Sequence, residues 1–182
     1  MSVQVVLGGI LELCDELRQR RIELAIARLS GPAPSEDVDQ TVMFEDPLVV
    51  VAGTENPWAR RRKVHLSDLV NEPWTWASPG TLTDRLIVEA FRATGVEPPR
   101  ATIYGNAINM RLKLVASGRF LAVVPLSVLK FQSRLATIKV LPVDLPTTNS
   151  KTGIIVLKNR ALNPLAQIFI ESALHMARPF AS

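Results

Sequence analysis

Leu48-Val49-Val50-Val51-Ala52 is apolar at every position and rich in β-branched side chains, with no alternation between apolar and polar residues. A strand with one wet face alternates. A strand covered on both faces does not, so this run predicts a parallel or mixed sheet flanked by helices rather than a sandwich.

The segments on either side fit that prediction. Upstream, Val3-Gln4-Val5-Val6-Leu7 reads as a strand ended by Gly8-Gly9, after which Ile10, Leu13, Cys14 and Leu17 recur at helical spacing. Leu24-Ala25-Ile26-Ala27 reads as a second strand, and Gly31 to Asp37 as a turn-rich loop. Downstream come a helical turn at Leu66 to Val70, a strand at Trp74 to Ala77, and a helix with Leu86, Ile87, Ala90 and Phe91 on one face and Gly95 just past its end. The unit repeats with Ala101 to Tyr104 as strand, Gly105-Asn106 as turn and N-cap, and Ile108, Leu112 and Val115 as a helix face stopped at Gly118. Strands at Leu121 to Val124, Ile138 to Leu141 and Gly153 to Leu157 follow, with Pro125 placed to begin a short helix. Asn163-Pro164 then caps a last amphipathic helix carrying Leu165, Ile168, Phe169 and Ser172. Strands alternating with helices of this length specify an α/β fold.

Composition narrows the class. The 182 residues are 47% hydrophobic and 21% charged, too apolar for disorder and too charged for a membrane bundle. The N-terminus lacks a basic region ahead of an apolar stretch, and the run Phe120 to Leu129 contains Pro125 and falls short of the ~20 residues of a spanning helix. With one cysteine there is no disulfide framework, and a reducing cytoplasm is the expected compartment. The formal charge of +4 is too small and too scattered to specify an acidic partner.

Catalytic and metal motifs are missing. The sequence holds no GxSxG, P-loop, GxGxxG or HExxH, and its two histidines, His65 and His175, have no ligand spacing to each other or to Cys14. We therefore expect no enzyme, no metal and no cofactor. Cys14 shares a helix face with Leu13 and Leu17 and reads as core, His65 as an exposed helix-start residue, Arg60-Arg61-Arg62-Lys63 as a solvated loop, and Trp74 with Trp76 as core packing on one strand face. What the fold offers instead is helix N-termini at the carboxyl ends of strands, where unpaired N–H groups and a positive dipole end attract ligands. Three turns qualify: Gly8-Gly9, Ser78-Pro79-Gly80-Thr81-Leu82-Thr83 and Gly105-Asn106. The same residues also serve as ordinary helix caps, and the sequence leaves both roles open.

At this point the order of motifs resembles the effector-binding domain of LysR-type transcriptional regulators, over nearly the whole chain. Leu11 to Ile26 looks like the family's helix and "DLAIG" strand, and Leu48 to Leu69 like its crossing strand, "HPLA" turn and "L-x-D-L" helix. Glu72-Pro73-Trp74 matches "EPW", Phe91 to Pro98 is similar to "AFRAAGVEP", Leu114 to Pro125 to "LVAAGLGIALLP", and Pro164 to Leu174 to the last helix. The second glycine of "GLGIA" is Phe120 here, and that of "DLAIG" is Ala27.

The resemblance implies a two-lobed, type 2 periplasmic-binding-protein-like fold, each lobe a mixed sheet flanked by helices. Lobe I would be residues 1–49 plus 159–182, lobe II residues 50–158, with Leu48 to Gly53 and Gly153 to Leu157 as crossing strands. It implies a small effector, an organic acid or aromatic compound, held between lobes by Gly8, Gly9 and Ile10 and by Ser78, Gly80, Thr81 and Asn106. It also implies a homodimer or tetramer in the full-length regulator, with DNA bound only through an N-terminal part; that part, and the first strand and helix of lobe I, would precede Val3. On that expectation the chain is a truncated piece. A solute-binding receptor of a transport system, of similar architecture, is the alternative.

Overall fold

The computed structural model describes residues 3–29, 31–131, 136–146, 148 and 150–180. The chain separates into two compact units, Met1–Asp46 with Ser150–Ser182, and Pro47–Asn149.

In the first unit, helix α1 (Ile10–Arg18) buries Leu13, Cys14 and Leu17. They pack on Ala25 and Leu29 of β1 (Ala25–Leu29), Val38 of β2 (Val38–Glu45) and Ile155 of β8 (Lys151–Leu157). β8 lies between β1 and β2 and runs antiparallel to both, with Ala27 and Val42 each opposite Gly153. Gly153 is required there, because a Cβ would lie 2.5 Å from the Thr41 carbonyl oxygen and from Leu29 Cδ1. β8, assigned to the second lobe by the resemblance, thus pairs wholly within the first unit. The β2 strand carries no clean periodicity and was not anticipated.

Two expectations fail in this unit. Val3 to Leu7 forms no strand: no neighbouring strand pairs with it among the described residues, and Val5 and Leu7 are 78% and 92% exposed. β-branched composition favours extended backbone, but only a hydrogen-bonded partner makes a strand. Helix α5 (Pro164–Ala177) forms as expected, with the Asn163 side chain accepting the Ala166 N–H at 2.8 Å, yet it buries Ala166 and Ala177 and leaves Leu165, Ile168 and Phe169 exposed. The apolar stripe was legible; the side of the helix that packs was not.

The second unit is a five-stranded mixed sheet in the order β5-β4-β6-β3-β7. β3 (Leu48–Gly53) runs antiparallel to β6 (Leu121–Pro125) and β7 (Ile138–Val140), whereas β4 (Trp74–Trp76) is parallel to β5 (Ile103–Tyr104) and β6. Both faces are covered, as the apolar run at Leu48 predicts. On one side Val50, Ala52, Trp74 and Trp76 pack with Leu86, Ile87 and Phe91 of α2 (Leu82–Ala93); on the other Val51, Ala122 and Val124 meet Leu112 and Val115 of α3 (Ile108–Ala116). The Trp74, Trp76 and Phe91 rings meet at centroid distances of 5.6 to 5.9 Å. Each such pair adds about 0.5–1.5 kcal/mol beyond area burial. A short helix α4 (Leu126–Phe131) follows Pro125, which ends β6 rather than opening the helix.

β3 ends where α3 ends. A Cβ on Gly53 would lie 2.5 Å from the Val115 carbonyl oxygen and 2.9 Å from Gly118 Cα, and Gly118 itself has φ +79°. The buried Asn56 side chain donates to the Gly118 carbonyl at 2.9 Å and accepts from the Trp58 N–H, closing this corner.

Candidate functional site

β4 leads through α2 to β5 on one flank, whereas the chain leaving β6 passes through α4 towards β7 on the other. Neighbouring parallel strands whose connections depart in opposite directions leave a crevice beyond their carboxyl ends, which is where open α/β sheets bind ligands. β4 runs on into the Ser78 to Thr81 turn, and β5 into the turn that holds Asn106.

The turn is held by its own side chains. Thr81, the N-cap of α2, accepts the Asp84 N–H at 3.2 Å and donates its hydroxyl to the Ser78 carbonyl at 2.8 Å. The Asp84 carboxylate accepts the Gly80 N–H at 2.8 Å through one oxygen and Trp76 Nε1–H at 2.9 Å through the other. Gly80 sits at φ +80°, a left-handed conformation that favours glycine. The Asn106 side-chain oxygen accepts the Ser78 N–H at 3.0 Å, joining the turn after β4 to the turn after β5. Asn106 is therefore a brace between turns, not the N-cap expected of it; Ala107 occupies that position in α3.

Ser78, Gly80, Thr81 and Asn106 are thus brought together. Most of their backbone donors are already engaged, and the half-buried Ser78 hydroxyl makes no hydrogen bond among the described residues. Gly8, Gly9 and Ile10 lie in the first unit at the start of α1, where Glu12 turns back to accept the Gly9 N–H at 2.8 Å. A Cβ on Gly8 would approach the Glu12 carboxylate to 2.9 Å, so this turn too is shaped by a cap.

Against the backbones of β4 and β6 lies a residue the sequence reading did not single out. Arg111 on α3 is 4% exposed, donates to the Val123 carbonyl at 2.7 Å and the Thr75 carbonyl at 3.4 Å, and leaves its Nε–H unpaired. No carboxylate faces it among the described residues, and burial lowers its pKa to about 10. Its only signal in the sequence is a charge at a helix position between Ile108 and Leu112, where the apolar face belongs.

The other chemistry-bearing residues lie as read. Cys14 is 1% exposed, with burial raising its thiol pKa; His65 is exposed at the start of a helical turn; Arg60, Arg61, Arg62 and Lys63 are exposed. Among the described residues no cluster of three or more His, Cys, Asp or Glu could hold a metal ion, and no helix is long and apolar enough to cross a membrane.

Comparison with known proteins agrees with the fold. Residues 1–178 match the LysR substrate binding domain. The chain is 28% identical over 166 residues to the transcriptional dual regulator GltC of Bacillus subtilis, covering 90% of this chain and 54% of that protein. It thus spans about half the length of the curated relatives it matches. Among solved structures, the regulatory domain of Synechocystis CcmR in complex with 2-PG superposes with a TM-score of 0.76 at 17% identity, over 93% of this chain and 80% of that one. The effector-binding domain of QuiR in complex with shikimate gives 0.74 at 21% identity, over 94% and 79%.

Proposed function

The chain belongs to the LysR substrate-binding domain family, and from that membership we propose that it senses a small effector on behalf of a transcription regulator. The observation that carries this reading is the pair of turns at the carboxyl ends of β4 and β5, tied together by the Asn106 to Ser78 hydrogen bond at the switch point of a mixed sheet. Ser78, Gly80, Thr81 and Asn106 are the second unit's proposed effector contacts; Gly8, Gly9 and Ile10 are carried from the resemblance as the first unit's. The two lobes of the family correspond in this proposal to the two compact units.

On this reading the protein recognises a metabolite without transforming it and works in the cytoplasm. The rest of the regulator binds DNA and oligomerises, and effector binding is coupled to both by about 1–3 kcal/mol. That QuiR and CcmR were solved with shikimate and 2-PG supports a small, polar organic effector here. The regulators among the relatives favour this reading over a transport receptor of similar architecture.

A thermal-shift screen of small carboxylates and aromatics tests it. A true effector raises the melting temperature of the native chain, and Thr81→Val or Asn106→Leu abolishes the rise. Because Thr81→Val also removes a helix cap, each shift is read against the variant's own ligand-free melting point. A stabiliser unaffected by either substitution removes this site assignment.

A further inference from the structure

We propose that Arg111 is the specificity-determining residue of the effector site, taking an anionic group, a carboxylate, of the small molecule that lodges beyond β4 and β6. The inference rests on the site reading above and names the chemistry that site selects.

The position argues first. β4 ends at Trp76 and its last register pair with β6 is Thr75 opposite Ala122. The guanidinium of Arg111 donates to the carbonyls of Thr75 and Val123, at the very point where the two parallel strands part. Ser78 is only three residues beyond Thr75, at most about 10 Å along extended chain. The guanidinium and the turn therefore belong to the same end of β4, close enough for one small molecule to span once the side chain is uncovered.

The unmet charge argues second. A guanidinium has five N–H donors in a fixed fork and matches a carboxylate in a bidentate way. Arg111 is 4% exposed, bonds only backbone carbonyls with no carboxylate partner among the described residues, and keeps its Nε–H without an acceptor. If the two carbonyls were all it served, an apolar side chain or a neutral donor would fill the place without the cost of burying a charge. An isolated buried cation is unfavourable until an anion meets it, and that difference is what makes such a site discriminate. The turn supplies no cation of comparable burial, and its Asp84 carboxylate already occupies the Gly80 N–H. Arg85, which donates to the Gly80 carbonyl at 3.4 Å, is exposed and screened by water, so the desolvated cation that discriminates by charge is Arg111.

Arginine-selective proton–nitrogen spectroscopy of the 182-residue chain, titrated with acetate and in parallel with its neutral analogue acetamide, tests this directly. We expect a saturable displacement of the Arg111 Nε–H resonance by acetate at about 1–100 mM, as befits so small a ligand, and none by acetamide. The resonance is assigned by its disappearance in Arg111→Met. In that variant the acetate-induced shifts of the Gly80 and Thr81 amides should vanish, while Arg111→Lys should keep them at weakened affinity. An Arg111 resonance that acetate does not move, or that acetamide moves equally, overturns the proposal. If the turn amides still respond to acetate in that case, the site reading stands and only Arg111's role falls; if neither responds, both fall.

Discussion

Arg28 holds Asp46 by side chain and backbone at once: Nη2 donates to Oδ2 at 3.1 Å and Nη1 to the Asp46 carbonyl at 2.7 Å. The pair is nearly dry, with side chains 12% and 3% exposed. Thr152 adds its hydroxyl to the same carboxylate oxygen at 3.1 Å, Ser150 donates to the Asp46 carbonyl at 2.9 Å, and Arg28 Nη1 also meets the Ser150 hydroxyl. Asp46 and Ser150 are the residues at which the chain leaves the first unit and returns to it. One buried ionic cluster therefore fastens both passages to the β1-β8-β2 sheet.

Arg28→Met should accordingly cost about 3–5 kcal/mol, because it strands the Asp46 carboxylate in a dry site. Urea unfolding followed by circular dichroism measures it. Adding Asp46→Asn should recover part of the loss, since the stranded charge disappears while an acceptor for Thr152 remains. A double variant no more stable than Arg28→Met would mean that the charge pairing is not what the cluster contributes.

Gly53→Ala should cost about 1–3 kcal/mol or prevent folding, for its methyl has nowhere to go. The clash is with the Val115 carbonyl at 2.5 Å and the Gly118 backbone at 2.9 Å, neither of which is a flexible side chain. Gly80→Ala, with nothing within 4 Å of its Cβ but a φ of +80°, should lose only the left-handed penalty of about 1–2 kcal/mol. Comparing their denaturation midpoints separates crowding from backbone strain.

Acid should weaken the link between the end of α1 and the loop that enters β2, where Arg18 and Ser35 bond Asp37. Hydrogen bonds from Arg18 and Ser35 hold the Asp37 carboxyl well below its ordinary 3.8. A depressed folded-state pKa contributes stability that is complete above the unfolded value and fades as pH falls below about 4. The difference in melting temperature between the native chain and Asp37→Asn should therefore be present at pH 7 and shrink steadily below pH 4. The exposed setting keeps it small. A gap that stays constant into strong acid would show that ionisation of Asp37 is not involved.

The α/β pattern was readable because most strands and helices announce themselves within a few residues: the unbroken apolar run at Leu48, the Trp74-Thr75-Trp76 strand, the helix spacing of Leu86, Ile87, Ala90 and Phe91. β2 escaped because a strand on a three-stranded sheet with one exposed flank mixes polar and apolar residues, Val38-Asp39-Gln40-Thr41, without strict alternation. Val3 to Leu7 misled because composition speaks of extended backbone and is silent about partners. The site divides the same way. Turn residues at Gly80 and Thr81 carry their chemistry in sequence, whereas the Asn106 to Ser78 bond joins residues 28 apart, and Arg111 gains its meaning only from carbonyls 36 and 12 residues away.

Asp84 offers the last check, because it links the aromatic core to the turn. Its two carboxylate oxygens hold Trp76 Nε1–H and the Gly80 N–H, and it lies in the first turn of α2, where a negative charge is favourable. Asp84→Ala loses both bonds and the charge, and should destabilise the second unit by about 1–3 kcal/mol. Asp84→Asn keeps one acceptor oxygen and should lose less. The two substitutions differ at the indole as well: with Asp84→Ala the buried Trp76 N–H has no partner, so its proton resonance should move further than in Asp84→Asn. Removing the carboxylate also withdraws a negative charge from beside Gly80 and Thr81, so any anionic effector should bind Asp84→Asn more tightly than the native chain. Weaker binding in that variant would mean that the carboxylate's grip on the turn matters more to the ligand than its charge.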